Sequence, residues 1–275
     1  MIYYAIGDIH GMYDHLQSML SRIKLHHGRE YPNEEYQIVL LGDYVDRGAQ
    51  SKQVIDYLIE HQEKDNLIVL PGNHEQMMLG MIEEYDDGSF EKYMIWWARN
   101  GGFRTLQSYF PEDHPSRTPA NWMSRQNCRD WSDEWKNKFP EHHKFLETVL
   151  FGGYSPNKTV YFLDYEDRIM FVHAGVIPAK ELSQHNGQEL LWSRDASFLT
   201  DSVKWIEETV DMVVHGHTPM VETARFGAHR SGLDAGVFST GELCCGVFVD
   251  GERVDTLYVE GPPANYHPPS EFTRY

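Results

Sequence analysis

Two acids and a base crowd one short stretch of this chain. Asp43, Asp46 and Arg47 fall in Gly42-Asp43-Tyr44-Val45-Asp46-Arg47-Gly48, directly after the apolar run Ile38-Val39-Leu40-Leu41. Such a run reads as a buried strand. Two carboxylates and a guanidinium leaving a strand end together suit a site for metal and phosphate. One carboxylate can bridge two cations, one can orient an acid, and the guanidinium can grip an oxyanion. Other short apolar runs are followed by similar chemistry. Asp8 and His10 follow the first, Asn73 a third, His173 follows Phe171-Val172, and His217 comes soon after Val213-Val214. With Asp43 these make two aspartates, three histidines and an asparagine. A donor set of oxygen and nitrogen without thiolate suits Mn²⁺, Fe²⁺ or Zn²⁺. Six such ligands exceed the need of one cation that keeps water bound, so two cations sharing Asp43 are expected.

The elements that must position these residues are legible in outline. Residues 3–6, 38–41 and 67–70 read as strands, each followed by a polar loop. Leu16, Met19, Leu20 and Ile23, and then Val54, Ile55, Leu58 and Ile59, recur at helical spacing. Strand and helix in alternation predict a parallel sheet whose strand ends share one edge. Residues 90–97 read as a helix stopped by Asn100-Gly101-Gly102. Residues 111–135, with three prolines and three tryptophans, read as an irregular cap. Hairpins are expected around residues 164–167 and around Asp250-Gly251, with a strand over 212–214. The Pro-rich tail from 261 to 275 reads as extended. The expectation is one α/β domain over residues 1–275, with an insertion over 76–150.

Composition narrows the function. The formal charge is −18, from 42 acids against 24 bases, which argues against a nucleic-acid binder or docking on anionic lipid. Cys128, Cys244 and Cys245 form no C-x-x-C pair, which points to a reducing compartment and away from a thiolate zinc site. No leader-like segment and no apolar run of membrane length occurs, so a cytoplasmic setting is expected.

Taken together, GDIHG at 7–11, GDYVDRG at 42–48, GNHE at 72–75, HAG at 173–175 and HGHTP at 215–219 resemble the signature set of calcineurin-like metallophosphoesterases. Within that set they are similar to the phosphoprotein phosphatase family of Ser/Thr phosphatases, of the compact bacterial and phage lambda type. Trp192-Ser193-Arg194 and Leu233-Asp234-Ala235-Gly236 also fit that branch. The resemblance implies a layered α/β/β/α sandwich with strand-end metal loops and a helical cap. It implies that Asp8 and His10 hold one metal, that Asp43 bridges, and that Asn73, His173 and His217 hold the other. The metals would be divalent transition ions, with Mn²⁺ first and Fe or Zn as alternatives. Arg47 and Arg194 would bind phosphate oxygens. His74, held by Asp46 and so favoured as imidazolium, would protonate the leaving group, and a hydroxide bridging the metals would attack directly.

The expected substrate is phosphoserine or phosphothreonine, with phosphotyrosine as a further candidate and a phosphoprotein or small phosphoester as partner. The alternative is symmetric dinucleoside tetraphosphate (Ap4A) hydrolysis, although Glu75 stands where those enzymes tend to carry Asp. A nuclease is disfavoured by Arg47, Pro219 and the acidic charge. An inactive binding module on the same fold is disfavoured because every ligand is present. His215 departs from the lambda-type pattern.

Overall fold

The structure is a computed structural model and describes residues 1–61, 66–83, 90–152, 159–202, 205 and 207–267. Strand β1 (Ile2–Ile6), helix α1 (Tyr13–Glu30), β2 (Tyr36–Leu40), α2 (Ser51–His61) and β3 (Leu67–Val69) follow the alternation expected from sequence. The three strands are parallel in the order β3-β2-β1. Their sheet is not wholly parallel. The hairpin of β8 (Glu242–Val249) and β9 (Glu252–Glu260) extends it, with β8 antiparallel to β1. A second sheet holds β4 (Tyr161–Asp164), β5 (Ile169–Val172), β6 (Met212–His215) and β7 (Arg230–Gly232), in that order. Strand β7 is three residues long and was not expected.

Both faces of each sheet are covered, so the inner strands read as continuous apolar runs. Tyr3 and Ala5 of β1 point between the sheets, against Phe171, Val214 and Phe248. Ile2, Tyr4 and Ile6 point the other way, into the core under α1 and α2. The outer face of the second sheet carries Met170, Val172 and Val213. It packs on Leu190 of α8 (Gly187–Trp192) and Phe198 of α9 (Ala196–Leu199). This is the expected α/β/β/α layering.

The stretch between the sheets differs most from expectation. It contains α3 (Asn73–Glu83), α4 (Phe90–Arg99), α5 (Gly102–Tyr109), α6 (Arg125–Lys138) and α7 (Pro140–Leu150). Residues 111–135 are therefore not an irregular cap. Two 3₁₀ turns, Pro115–Arg117 and Pro119–Met123, lead into α6, whose Ser124 cap accepts from the Asn127 amide. The helix was masked by its charge. Only Cys128, Trp131, Ser132 and Trp135 are buried, on one narrow stripe. Trp131 stacks obliquely on Trp122, which in turn meets Trp97 of α4.

Among the described residues no helix is long and apolar enough to cross a membrane. Residues 261–267 carry no regular structure, and the part of the tail beyond 267 lies outside the described residues. Short helices α10 (Glu222–Arg225) and α11 (Val237–Thr240) flank β7 in the chain.

Candidate metal centre

Register brings the candidate residues together. Ile6 pairs with Leu40, and Leu40 with Val69, so the loops after β1, β2 and β3 leave the first sheet side by side. Val172 pairs with His215, which does the same for the loops carrying His173 and His217. The loops then interlock. Ile9 and His10 both donate their amides to the Asp43 carbonyl, at 3.1 and 2.8 Å, and the Gly48 amide donates to the His10 carbonyl at 3.0 Å. Across the two sheets the His217 amide donates to both oxygens of Asp8, at 3.0 and 3.1 Å. Gly216 permits that approach, because a Cβ there would lie 2.1 Å from Asp8 Oδ1. The backbone is strained to make the site. His10, Asp43, Asp46, Arg47 and His217 all hold φ between 45° and 74°, a region costly for residues other than glycine.

All six expected ligands are buried. Asp43 stands between two groups, His10 with His74 and His173 with His217, whose ligand atoms lie within 4.8 Å of one another. Its Oδ2 is 3.6 Å from His10 Nε2, and its Oδ1 is 3.3 Å from His173 Nε2. Asp8 Oδ2 is 3.9 Å from His10 Nε2. Asn73 Oδ1 lies 2.8 Å from His173 Nε2 and 2.9 Å from His217 Nδ1.

The protons are committed elsewhere. His10 Nδ1 donates to the Val45 carbonyl and His173 Nδ1 to the Leu41 carbonyl, which leaves each Nε2 a lone pair on the side of the ring that faces the cluster around Asp43. Burial keeps these rings neutral, pushing His10 well below the histidine range, His173 to about 3 and His217 to about 2. Burial also pushes Asp8 and Asp43 up, and neighbouring carboxylates (Asp234 and Asp43 for Asp8, Glu75 for Asp43) push further. His217 Nε2 is buried without a hydrogen-bond partner. Lone pairs of neutral imidazoles thus converge on crowded, buried carboxylates. Divalent cations fit that arrangement, since they convert acceptor–acceptor contacts into ligation.

Beside the ligands stands a proton-bearing pair. His74 Nδ1 is 2.6 Å from Asp46 Oδ2. Asp46 Oδ1 accepts from Trp97 Nε1 at 2.9 Å and from Thr105 Oγ1 at 2.6 Å. Arg47 is half-buried, with Nη1 2.8 Å from His10 Nε2 and Nη2 3.1 Å from His74 Nε2. Its guanidinium lies 4.3 Å from the centre of the Phe238 ring. Arg194 is exposed at the rim, with Nη2 3.5 Å from the His217 carbonyl.

The description calcineurin-like phosphoesterase matches residues 1–245. The chain belongs to that family. A symmetrical bis(5'-nucleosyl)-tetraphosphatase from Neisseria gonorrhoeae strain NCCP11945 is 33% identical over 81 residues, 30% of this chain. The match spans only 26% of that relative's length. An asymmetrical bis(5'-nucleosyl)-tetraphosphatase, PrpE, from Bacillus velezensis is 33% identical over 76 residues, 27% of this chain and 30% of its own. Among solved structures, a metallophosphoesterase from Sphaerobacter thermophilus superposes with a TM-score of 0.52 at 15% identity, covering 94% of this chain and 89% of that one.

The site also draws on residues to which the motifs assign no role. Glu75 is fully buried and accepts from the amides of Gly72, Asp43, Tyr44 and Val45, at 2.8, 2.9, 2.8 and 3.3 Å. It clamps the β2 loop to the β3 loop. An acid in the first turn of α3 is the signal that could have found it. Glu75→Ala would leave four buried amides unpaired. The expected result is a loss of about 3 kcal/mol or more in denaturant unfolding, with Glu75→Gln costing less. Trp97 and Thr105 were also missed, because they come from α4 and α5, far from any strand end. Thr105→Val removes one donor to Asp46, and a tenfold loss of kcat with little change in KM is expected.

His74 differs from its sequence expectation. Burial, followed by Arg47, pushes it well below the usual histidine range. The guanidinium against Nε2 makes that nitrogen an acceptor, which opposes the pull of Asp46 toward imidazolium. His215 is buried under the site, packed on Phe198 and pushed to about 4 by burial. His15, His26, His27, His142 and His143, which sequence placed on helices and loops, take partners outside the site. His142, for example, pairs with Asp56 and His143 with Glu83.

Proposed function

We propose that this chain is a single-domain, metal-dependent phosphomonoesterase that transfers a phosphoryl group directly to water. The observation that carries this reading is the buried Asp46–His74 pair, whose Nε2 lies 3.7 Å from Asp43 Oδ2, at the edge of the ligand cluster. A positioned acid of this kind matters most when the leaving group is a poor one, such as the alkoxide of serine or threonine. Asp8, His10 and Asp43 would hold one divalent ion, and Asp43, Asn73, His173 and His217 the other. The donor set suits Mn²⁺, Fe²⁺ or Zn²⁺, of which the family resemblance puts Mn²⁺ first, and the ions would acidify water and neutralise phosphoryl charge.

The chain's own groups do the rest. A bound phosphate draws the Arg47 fork off His10 and His74 and onto its oxygens, with Arg194 reaching in from the rim. That movement frees Nε2 of His74 to carry the proton delivered to the departing oxygen. Asp46, fixed by Trp97 and Thr105, holds the opposite ring nitrogen and so fixes the ring's direction.

A second reading has its own support. The two tetraphosphatase relatives favour dinucleoside tetraphosphate hydrolysis. There the leaving group is a nucleotide phosphate of low pKa, which needs an acid less. A panel with Mn²⁺ separates the two: aryl phosphate, phosphoserine peptide and diadenosine tetraphosphate, compared by kcat/KM. The phosphatase reading expects the phosphopeptide to exceed the dinucleotide at least tenfold. The reverse order would replace it.

A further inference from the structure

Residues 261–267 run on from the end of β9 and make contacts, at two points, with segments that pack against Arg47. At the first, the Gly261 amide donates to the Gly241 carbonyl at 2.9 Å and the Ala264 amide to the Phe238 carbonyl at 2.9 Å. Phe238 carries the ring on which the Arg47 guanidinium lies, and that ring also meets His10 edge-on at 5.4 Å. At the second, Tyr266 Oη donates to the Ala98 carbonyl at 3.2 Å, in the last turn of α4. Directly after that turn, the Gly101 carbonyl accepts from the Arg47 amide at 3.4 Å. The fit there is tight: Gly101 holds φ of 111°, and a Cβ would lie 2.4 Å from the Arg47 nitrogen. The Tyr266 phenol is half-buried, within electrostatic reach of Asp46, Arg47 and Arg104. The tail therefore braces the ring under the Arg47 side chain at one end and the turn behind its backbone at the other.

We propose that this segment is a positioning strap for Arg47, with Tyr266 as its anchor. The strap holds the Phe238 ring and the Gly101 turn from which the guanidinium fork reaches substrate oxyanions. The proposal rests on the reading of Arg47 as the phosphate grip. Arg47 needs external bracing because its own backbone is left-handed, at φ 66°, and its side chain is only half-buried. An unbraced fork would spread over several rotamers and lose the entropy advantage that a preset oxyanion site depends on.

The test uses the full chain with Mn²⁺ and inorganic phosphate as a competitive inhibitor of aryl phosphate hydrolysis. Tyr266→Ala is expected to raise both KM and the phosphate inhibition constant about five- to tenfold, the scale of one lost hydrogen bond and its ordering. Metal content and melting temperature should stay at the parent values. Tyr266→Phe keeps the ring and should recover part of the loss. Ala264→Pro removes the amide that holds Phe238 and should act like Tyr266→Ala, which guards against an effect peculiar to one side chain. In an Arg47→Ala background Tyr266→Ala should have no further effect on phosphate inhibition, since the strap then has nothing to hold. An equal effect in both backgrounds overturns the proposal, as does no effect in either. If Arg47→Ala weakens phosphate but Tyr266→Ala does not, the strap alone fails. If Arg47→Ala leaves phosphate inhibition unchanged, the assignment of Arg47 fails and the strap falls with it.

Discussion

Replacing His74 by Asn is expected to lower kcat on a phosphoserine peptide by about 10²- to 10⁴-fold, the range for loss of a positioned general acid. The loss should shrink as the leaving group improves, so an aryl phosphate with an acidic phenol falls by much less. Geometry gives the reason. His74 Nδ1 is bound to Asp46, so only Nε2 faces the ligand cluster, where it meets the Arg47 guanidinium. Asn cannot hold a transferable proton at that place, yet its side-chain amide can still meet Asp46. The His74 amide, which donates to Asp43 Oδ1 at 3.0 Å, is untouched by the change. Metal content should therefore stay near the parent value. A leaving-group series with the same slope as the parent enzyme would remove His74 from the role. Asp46→Asn is the companion variant: it keeps the contact but reverses one donor, and a smaller loss of the same leaving-group character is expected.

The parts of this site that sequence disclosed are those where chemistry is concentrated at strand ends. Asp8, His10, Asp43, Asn73, His173 and His217 each follow an apolar run closely enough that an αβ layering puts them on one edge. The backbone register then converges them without further help. Layering was legible for the same reason, since strands covered on both faces must be apolar throughout. What stayed hidden works through contacts between distant elements. Glu75 acts on amides some thirty residues away, and Trp97 and Thr105 reach Asp46 from helices that read only as an insertion. Nothing in local periodicity separates a tryptophan that fills a core from one whose Nε1 also holds a carboxylate. Helix α6 was lost to its charge, and β7 to its length of three residues. The tail read as extended because it is Pro-rich. That composition is silent on where the chain lands, and Tyr266 is its consequence.

Asp43→Ala should separate folding from function more sharply than any other change. In the metal-free protein Asp43 is a buried acid among Asp8, Asp234 and Glu75, and burial with this crowding raises its pKa. Removing it relieves like-charge repulsion while losing the contact with the His74 amide. These effects oppose one another, so the metal-free melting temperature should change little. With metal the two proteins should diverge. A ligand that binds only the native state stabilises it by about 4.1 kcal/mol at a thousand times its dissociation constant. The parent protein should therefore melt several degrees higher in excess Mn²⁺. The variant should lose most of that rise, because the carboxylate lies between both clusters: Oδ1 faces His173 and Oδ2 faces His10 and His74. Loss of one terminal ligand such as His217 should lower the occupancy of one ion. Loss of Asp43 should lower both, with kcat/KM falling about a thousandfold or more as phosphoryl charge goes unneutralised. Metal analysis after gel filtration and paired thermal melts with and without Mn²⁺ check this together. A variant that keeps two ions and the full metal-dependent rise would mean that Asp43 does not bridge. The two clusters would then be separate sites that happen to share a wall.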